Sequence, residues 1–226
     1  MSLRVVLETA PKRSFASALD WPGWSRGAKT ADDALAALLD YAPRYARVAK
    51  RARISFRPPA TLRGIDVVER VSGGSGTEFG VPGTPAAAED RPISARDLRR
   101  LLALLRASWA SLDAAATKAA GVELAKGPRG GGRDLPKILS HVREAEVAYL
   151  HQLGSRSPAA DEEDPKRPMA RLRRVFAAAV VAVSTGEPLT DPARTRKPWS
   201  PRYTVRRAAW HVLDHAWEIE DRAAAR

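Results

Sequence analysis

The chain has 226 residues, 44% of them hydrophobic, a formal net charge of +12 and no cysteine. This length suits two compact units in one chain, and no apolar run approaches the ~20 residues that a membrane span needs. Without cysteine there is no disulfide and no protein thiolate, so a bound metal requires nitrogen and oxygen donors. The opening MSLRVVLETAPKR lacks the pattern of an export signal, so we expect a soluble, cytoplasmic protein.

The positive charge is concentrated in the second part of the chain. Residues 1–90 hold 13 Lys/Arg and 10 Asp/Glu, whereas residues 91–226 hold 25 and 16. The arginines of the second part are scattered through helices and loops, without the interleaved aromatic residues of a nucleic-acid-binding surface. We therefore expect a solvated, arginine-rich surface that favours an anionic ligand, and a nucleic-acid partner is the less favoured interpretation.

The chain opens with the pattern of a β-hairpin. LRVVLETA alternates apolar and other residues, and SFASALDW offers a second extended run after the intervening PKR. The sequence Trp21-Pro22-Gly23-Trp24 then predicts a turn, because proline fixes one φ angle and glycine permits a positive one.

A helix, a further strand and a linker complete the predicted first unit, which ends near residue 90. Thr30 and Asp33 form a capping-box-like start, and the apolar stripe of the helix runs from Ala34 to Val48. Residues 65–71 are rich in β-branched side chains and predict a strand. The Gly/Pro-rich segment 73–85 is interpreted as a loop and linker. The first unit is thus expected to be α+β.

The stretch SFASALDWPGWSRGAKTADDALAALLDYAPRYARVA resembles the HicB-like small domain. That family shows a strand, an aliphatic-proline-glycine turn, a strand passing through Gly or Ser, and a T-x-x-E-A-L-x-x-L helix. Trp21-Pro22-Gly23 and the run from Thr30 to Leu35 fit this pattern, and the resemblance covers roughly residues 3–50. Because members usually bind a protein or nucleic-acid partner, the resemblance implies an interaction role for the first unit.

The second unit, from residue 91, is predicted to contain four helices. Apolar side chains recur every three or four residues, and Ser, Asp, Pro and Gly stand at the positions that start and stop helices. The predicted ranges are 94–121, 134–154, about 168–184, and 201 to the C-terminus. We expect them to pack as an all-α four-helix bundle. The connector GPRGGGRD is expected to be flexible because it is rich in glycine, and a phosphate-binding loop is the less favoured interpretation because the Lys-Ser/Thr ending of a nucleotide-binding loop is missing.

Three of the four histidines occupy positions that suit a metal site. His211 and His215 are four residues apart on one helix face, and His141 lies at an apolar-facing position of the second helix. Three imidazoles between packed helices favour a divalent metal, Zn or Ni. A polar network of core histidines is the alternative. His151 lies about 80° around the helix from His141 and is excluded as a ligand.

The segments LSHVREAEVAYL and AAWHVLDHAWEIEDR resemble the DinB-like (YfiT-like) superfamily of four-helix-bundle proteins. In that superfamily one histidine of the second helix and an H-x-x-x-H pair of the fourth hold a divalent metal. His141, His211 and His215 fall on those positions, and the resemblance covers residues 94–226. Characterised members include S-transferases and an isomerase that depend on mycothiol or bacillithiol, so the resemblance implies a metal-dependent enzyme with a thiol cosubstrate.

Two carboxylates and one arginine complete the predicted site. Glu144 and Glu218 each follow a histidine by about one turn, so each could orient an imidazole or act as a general base, with a surface ion pair as the alternative. Arg222 is the first candidate for binding an anionic cosubstrate. The other arginines close to the ligands in sequence are Arg143, Arg206 and Arg207.

The sequence leaves two functions open. The first is a metal-dependent transferase or hydrolase that acts on a small polar or anionic molecule with a thiol cosubstrate. The second is a non-catalytic regulatory protein that binds a ligand in the helical unit and a partner through its HicB-like domain. A homodimer is compatible with either function.

Overall fold

The computed structural model describes residues 2–126, 132–158 and 169–224. These residues form an N-terminal four-stranded sheet followed by helices, in a mixed α/β arrangement. The strands are β1 Leu3–Ala10, β2 Arg13–Ala18, β3 Ser25–Ala28 and β4 Ile65–Ser72. The helices are α1 Ala31–Asp40, α2 Ala42–Arg51, α3 Ser75–Glu78, α4 Ala95–Lys118, α5 Leu135–Leu153, α6 Ala170–Thr185 and α7 Pro201–Ala224.

The strand order in the sheet is β3-β2-β1-β4. β1 and β2 pair antiparallel as the predicted hairpin, and β3 continues the antiparallel arrangement. β4 confirms the predicted further strand and pairs parallel to β1 at the other edge. The chain between β3 and β4 contains α1 and α2, which is consistent with the long crossover that a parallel pair requires.

The turn before β3 is part of the N-terminal core. Trp24 is fully buried, its ring stacks on Tyr45 at 5.5 Å, and its Nε1 donates a 2.8 Å hydrogen bond to the Leu38 carbonyl. Gly23 has φ of +92°, and a Cβ atom there would lie 2.7 Å from a methyl carbon of Leu213 on α7. Glycine is therefore required both by the backbone conformation and by the close approach of α7.

The prediction of a single helix from Thr30 to Val48 is wrong, because two helices occupy this range. The Thr30 cap is confirmed by a 3.1 Å hydrogen bond from the Asp33 amide to the threonine hydroxyl. α1 ends at Asp40, and α2 starts at Ala42 with Pro43 in its first turn. Proline has no amide hydrogen and its ring clashes with the preceding turn, so an uninterrupted helix is disfavoured at this point.

The segment predicted as a linker is packed into the structure. It contains α3, and the buried carboxylate of Glu8 accepts hydrogen bonds from the hydroxyl of Thr77 at 2.5 Å and from the amides of Gly83 and Thr84 at 3.1 Å. Burying a carboxylate is costly unless it is hydrogen-bonded, and this segment supplies the donors. The segment is thus bound to β1, and the boundary near residue 90 stays a prediction.

Helices α4 to α7 share one apolar core. The predicted caps are confirmed, since Ser94 accepts from the Asp97 amide at 3.1 Å and Asp134 from the Lys137 amide at 2.9 Å. The start predicted near residue 168 and most of the connector GPRGGGRD lie outside the described residues. No helix in the described ranges combines the length and apolar character needed to cross a membrane.

Helix α7 is shared by two apolar cores. Its Val205 and Val212 belong to the core of the four long helices, whereas Leu213 and Trp217 belong to the core beneath the sheet. The apolar side chains beside the histidine face of α7 therefore pack against the N-terminal unit, where Trp210 contacts Phe15 edge-to-face with 6.2 Å between ring centres. This two-sided burial leaves the histidine face of α7 directed towards α5.

Candidate metal centre

His141 of α5 and His211 and His215 of α7 converge on one point. Their ligand atoms all lie within 4.8 Å of one another, and Nε2 of His211 lies 3.2 Å from Nε2 of His141. Two nitrogen atoms bound tetrahedrally to one zinc ion at about 2.0–2.1 Å are about 3.3–3.4 Å apart. The His141–His211 pair therefore has about the spacing of two zinc ligands, and the three residues together could hold a metal ion.

The three imidazoles differ in exposure. His211 and His215 are 8% and 9% exposed, whereas His141 is only partly buried. α7 presents its pair because residues four apart lie above one another on a helix. α5 contributes His141 because the two helices pack side by side. The cluster therefore opens on the His141 side and is closed on the α7 side.

Glu218 fixes the orientation of His215. Nδ1 of His215 lies 2.8 Å from Oε2 of Glu218, while Oε1 accepts a 2.7 Å hydrogen bond from Nη1 of Arg222. The hydrogen bond with His215 lowers the pKa of Glu218, and the bond from Arg222 adds to that effect, so the carboxylate stays ionised. An Nδ1–H donated to a carboxylate leaves Nε2 of His215 free to bind a metal.

The protonation of the cluster suits metal binding. Burial, together with the neighbouring His215 and His141, lowers the pKa of His211 to about 2. Burial and the charge of Arg133 also lower the pKa of His141. Metal ions bind the neutral imidazole, so these two ligands need not lose a proton at neutral pH.

The two predicted carboxylates are in different environments. Glu218 contacts His215 directly, as described. Glu144 is exposed and its carboxylate accepts a 3.0 Å hydrogen bond from Ser140, although its charge raises the pKa of His141 against the larger effect of burial. His151 is exposed and stands outside the cluster.

The four candidate arginines occupy separate places. Arg222 holds Glu218 and donates from Nε to the Ala125 carbonyl at 2.7 Å. Arg206 pairs with Glu89 of the segment before α4, with Nε–Oε1 at 2.6 Å. Arg143 comes two residues after His141, which places it about 160° around α5 from the ligand. Arg207 lies one turn before His211 and is 6% exposed, so it is the arginine buried beside the cluster.

Tyr149 is a site residue whose role the sequence analysis did not identify. Its ring lies 5.9 Å from that of His211, and its hydroxyl accepts a 3.1 Å hydrogen bond from Nη2 of Arg207. It follows His141 by eight residues, which places it about 80° around α5 from that ligand, on the opposite side from His151. The sequence gives no specific signal for this role, because an aromatic residue at a helical core position is equally well explained by packing.

No known family model, curated protein or solved structure matches the chain. The DinB-like and HicB-like resemblances therefore stay predictions. The case for a metal centre rests on the three converging imidazoles and on the carboxylate that orients one of them.

Proposed function

We propose that residues 91–226 form a DinB-like four-helix bundle that binds one divalent metal, Zn or Ni, through His141, His211 and His215. We further propose that the protein is a metal-dependent transferase or hydrolase with a low-molecular-weight thiol as cosubstrate. The observation that carries the proposal is the cluster of three imidazoles on two adjacent helices, one of them oriented by Glu218.

Three protein ligands suit catalysis better than a structural role. A divalent ion held by three imidazoles keeps a coordination position free and makes a water or thiol nucleophilic near neutral pH. The partial exposure of His141 supports access to that position. Because the chain has no cysteine, a reacting thiolate would belong to the cosubstrate.

Glu218 and Glu144 have different proposed roles. Both oxygen atoms of Glu218 accept hydrogen bonds, from His215 and Arg222, so we assign it as a positioning residue that keeps the His215 ring in place. Glu144 lies at the exposed His141 side, where it is the candidate general base for a proton of the substrate.

The charge around the opening supports an anionic substrate. In addition to the larger effect of burial, Arg133 in the segment before α5 lowers the pKa of both His141 and His211. Its positive charge therefore acts electrostatically on the cluster. Arg222 adds a second positive group, although it also holds Glu218. A positive field attracts anions and raises their rate of encounter.

One observation favours the non-catalytic alternative. α7 carries His211 and His215 on one face and Leu213 and Trp217 in the core beneath the sheet on another. Occupation of the metal centre could therefore change the packing of the N-terminal unit, as expected of a ligand-responsive interaction protein with a HicB-like domain.

Metal analysis of the full chain purified without a histidine tag tests the proposal. We expect one Zn or Ni per chain, loss of the metal in His211→Ala, and full retention in the control His151→Ala. A screen of thiol cosubstrates with electrophilic substrates then tests for turnover that His211→Ala abolishes. Stoichiometric metal without any thiol-dependent turnover would favour the non-catalytic alternative, and wild-type protein that binds no divalent metal would contradict the proposal.

A further inference from the structure

Arg207 of α7 carries a buried positive charge. Its side chain is 6% exposed, and Nη2 donates a 3.1 Å hydrogen bond to the Tyr149 hydroxyl. Nε and Nη1 are buried and have no hydrogen-bond partner. Among the described residues no carboxylate forms an ion pair with this guanidinium. The neighbouring Arg206 is also buried, but it forms an ion pair with Glu89. Among the described residues, α7 thus contains one buried arginine with an ionic partner and one without.

Aromatic rings around Arg207 compensate its charge only in part. The guanidinium carbon lies 5.0 Å from the Trp210 ring centre and 5.3 Å from that of Tyr149. Contact with ring faces is favourable for a cation, but it does not satisfy N–H donors. Buried donors without acceptors are destabilising, and buried charges are normally paired. Among the residues that the structure describes, no acceptor is thus provided for two of the N–H-bearing atoms of Arg207.

A second donor without an acceptor lies one turn away. Nδ1 of His211 is buried and has no hydrogen-bond partner, whereas Nδ1 of His215 has Glu218. A histidine that binds metal through Nε2 carries its proton on Nδ1 and normally donates it to an oxygen atom. Arg207 and His211 are four residues apart and so lie on the same helix face, about 5–6 Å from each other at Cβ.

The Tyr149 hydroxyl is a third donor. It accepts from Arg207, which leaves its own hydrogen available. A tyrosine hydroxyl keeps that hydrogen at neutral pH, because its ordinary pKa is about 10. Arg207, His211 and Tyr149 thus place several hydrogen-bond donors on the His211 side of the ligand cluster, whereas Glu218 lies on the His215 side.

We propose that the small molecule that binds at the metal centre carries a carboxylate, which accepts hydrogen bonds from Arg207 and Tyr149 beside His211. This inference rests on the proposed metal-dependent function and names the substrate class. A carboxylate suits this position because a planar guanidinium recognises carboxylate oxygen atoms with good geometry and because the negative charge would pair with the buried cation. Since one helical turn spans about 5.4 Å, the carboxylate should be only two or three bonds from the atom that reaches the metal.

A matched pair of thiols tests the inference in protein loaded with Co²⁺. 3-Mercaptopropionate and 3-mercapto-1-propanol have the same three-carbon chain, but only the first has a carboxylate. Thiol binding is followed by the near-ultraviolet thiolate-to-cobalt absorption. We expect wild-type protein to bind 3-mercaptopropionate about 10- to 100-fold more tightly, the factor expected of hydrogen bonds to a charged group.

Variants assign the preference to Arg207. Arg207→Met should remove the preference while the visible Co²⁺ spectrum stays unchanged, and Arg207→Lys should keep part of it. Arg133→Met, at the exposed opening, is the matched control. This variant should keep most of the preference for 3-mercaptopropionate. Equal binding of the two thiols by wild-type protein, or a preference that survives in Arg207→Met, would overturn the inference while leaving the proposed function intact.

A metal-free measurement separates the inference from the proposed function. Propionate should raise the melting temperature of the metal-free wild-type protein but not that of Arg207→Met. If neither thiol produces the absorption, the proposed thiol chemistry is wrong, and the propionate result alone decides the inference. No effect of propionate on the wild type in that case would overturn the inference as well.

Discussion

Nδ1 of His215 lies 2.8 Å from Oε2 of Glu218, three residues later on the same helix. The contact holds the imidazole in one orientation, with Nε2 directed at the other two histidines. Arg222 in turn holds Glu218 and binds the Ala125 carbonyl, so the segment after α4 is connected to the candidate metal ligands. The ligand set is thus supported by hydrogen bonds from two parts of the chain.

Glu218→Gln should weaken metal binding while leaving the fold unchanged. The amide accepts a weaker hydrogen bond from His215 and carries no negative charge, and changes at such supporting residues typically cost 10- to 100-fold in metal affinity. Glu144→Gln is the matched control, because its carboxylate is exposed and hydrogen-bonds Ser140. Competition with a chromogenic chelator measures both affinities. Equal loss in the two variants would show that general charge, and not orientation, matters.

Metal binding should stabilise the protein against unfolding. A ligand that binds only the folded state at 100 times its dissociation constant adds about 2.7 kcal/mol. Thermal denaturation with and without Zn²⁺ should show this gain in wild-type protein and its reversal by a chelator. His211→Ala should show no gain, and a gain of the same size in that variant would mean that the metal binds elsewhere.

Glu89→Ala should destabilise the fold by about 3–5 kcal/mol, because it leaves the buried guanidinium of Arg206 without its ion pair. Urea denaturation measures the change. The double variant Glu89→Leu with Arg206→Met should recover much of the loss, since it removes both charges. Lys137→Ala, which breaks an exposed ion pair with Asp134, is the control and should change stability by less than about 1 kcal/mol.

Glu146 should make stability depend on pH. Burial raises its pKa to about 7, against the opposing effects of Arg173 and of the hydrogen bond from Trp109. The unfolded carboxyl group ionises near its ordinary pKa of 4.5, whereas the folded one does so only near 7. Between these values only the unfolded state gains from ionisation, so stability falls as pH rises, by about 3 kcal/mol in all.

Glu146→Gln provides the comparison for this pH dependence. Glutamine resembles the protonated acid and does not titrate. From pH 4 to pH 8 the wild type should therefore lose unfolding free energy relative to the variant. Chemical denaturation across that range measures it. Parallel pH profiles of the two proteins would contradict the assigned ionisation.

Trp217→Ala should cost about 3–5 kcal/mol, because a 5% exposed ring would be removed from the core beneath the sheet. The ring contacts Tyr41 of the N-terminal unit at 5.2 Å between ring centres. Phe79→Ala is the control, since that ring is 89% exposed and its removal should change stability by less than about 0.5 kcal/mol. A small effect of Trp217→Ala would indicate that the N-terminal unit is stable independently of α7.

Local signals in the sequence were sufficient for much of the secondary structure. Alternating apolar residues predicted the β1–β2 hairpin, and the side chains of Thr30, Ser94 and Asp134 marked the helix starts that the structure confirms. The break between α1 and α2 was missed although Pro43 signals it. Each of these features depends on residues close together in the chain, which is why sequence patterns report them.

The sequence by itself also determined which residues could bind a metal, because imidazole is the side chain best suited to Zn or Ni in a chain without cysteine and the i, i+4 spacing places two on one helix face. Only the tertiary structure decided their surroundings. Contacts between residues far apart in sequence pair Glu89 with Arg206, bring Tyr149 to Arg207, and leave Arg207 without an acidic partner among the residues that the structure describes. Burial sets the energetic cost of such a charge, and burial is a property of the packed chain.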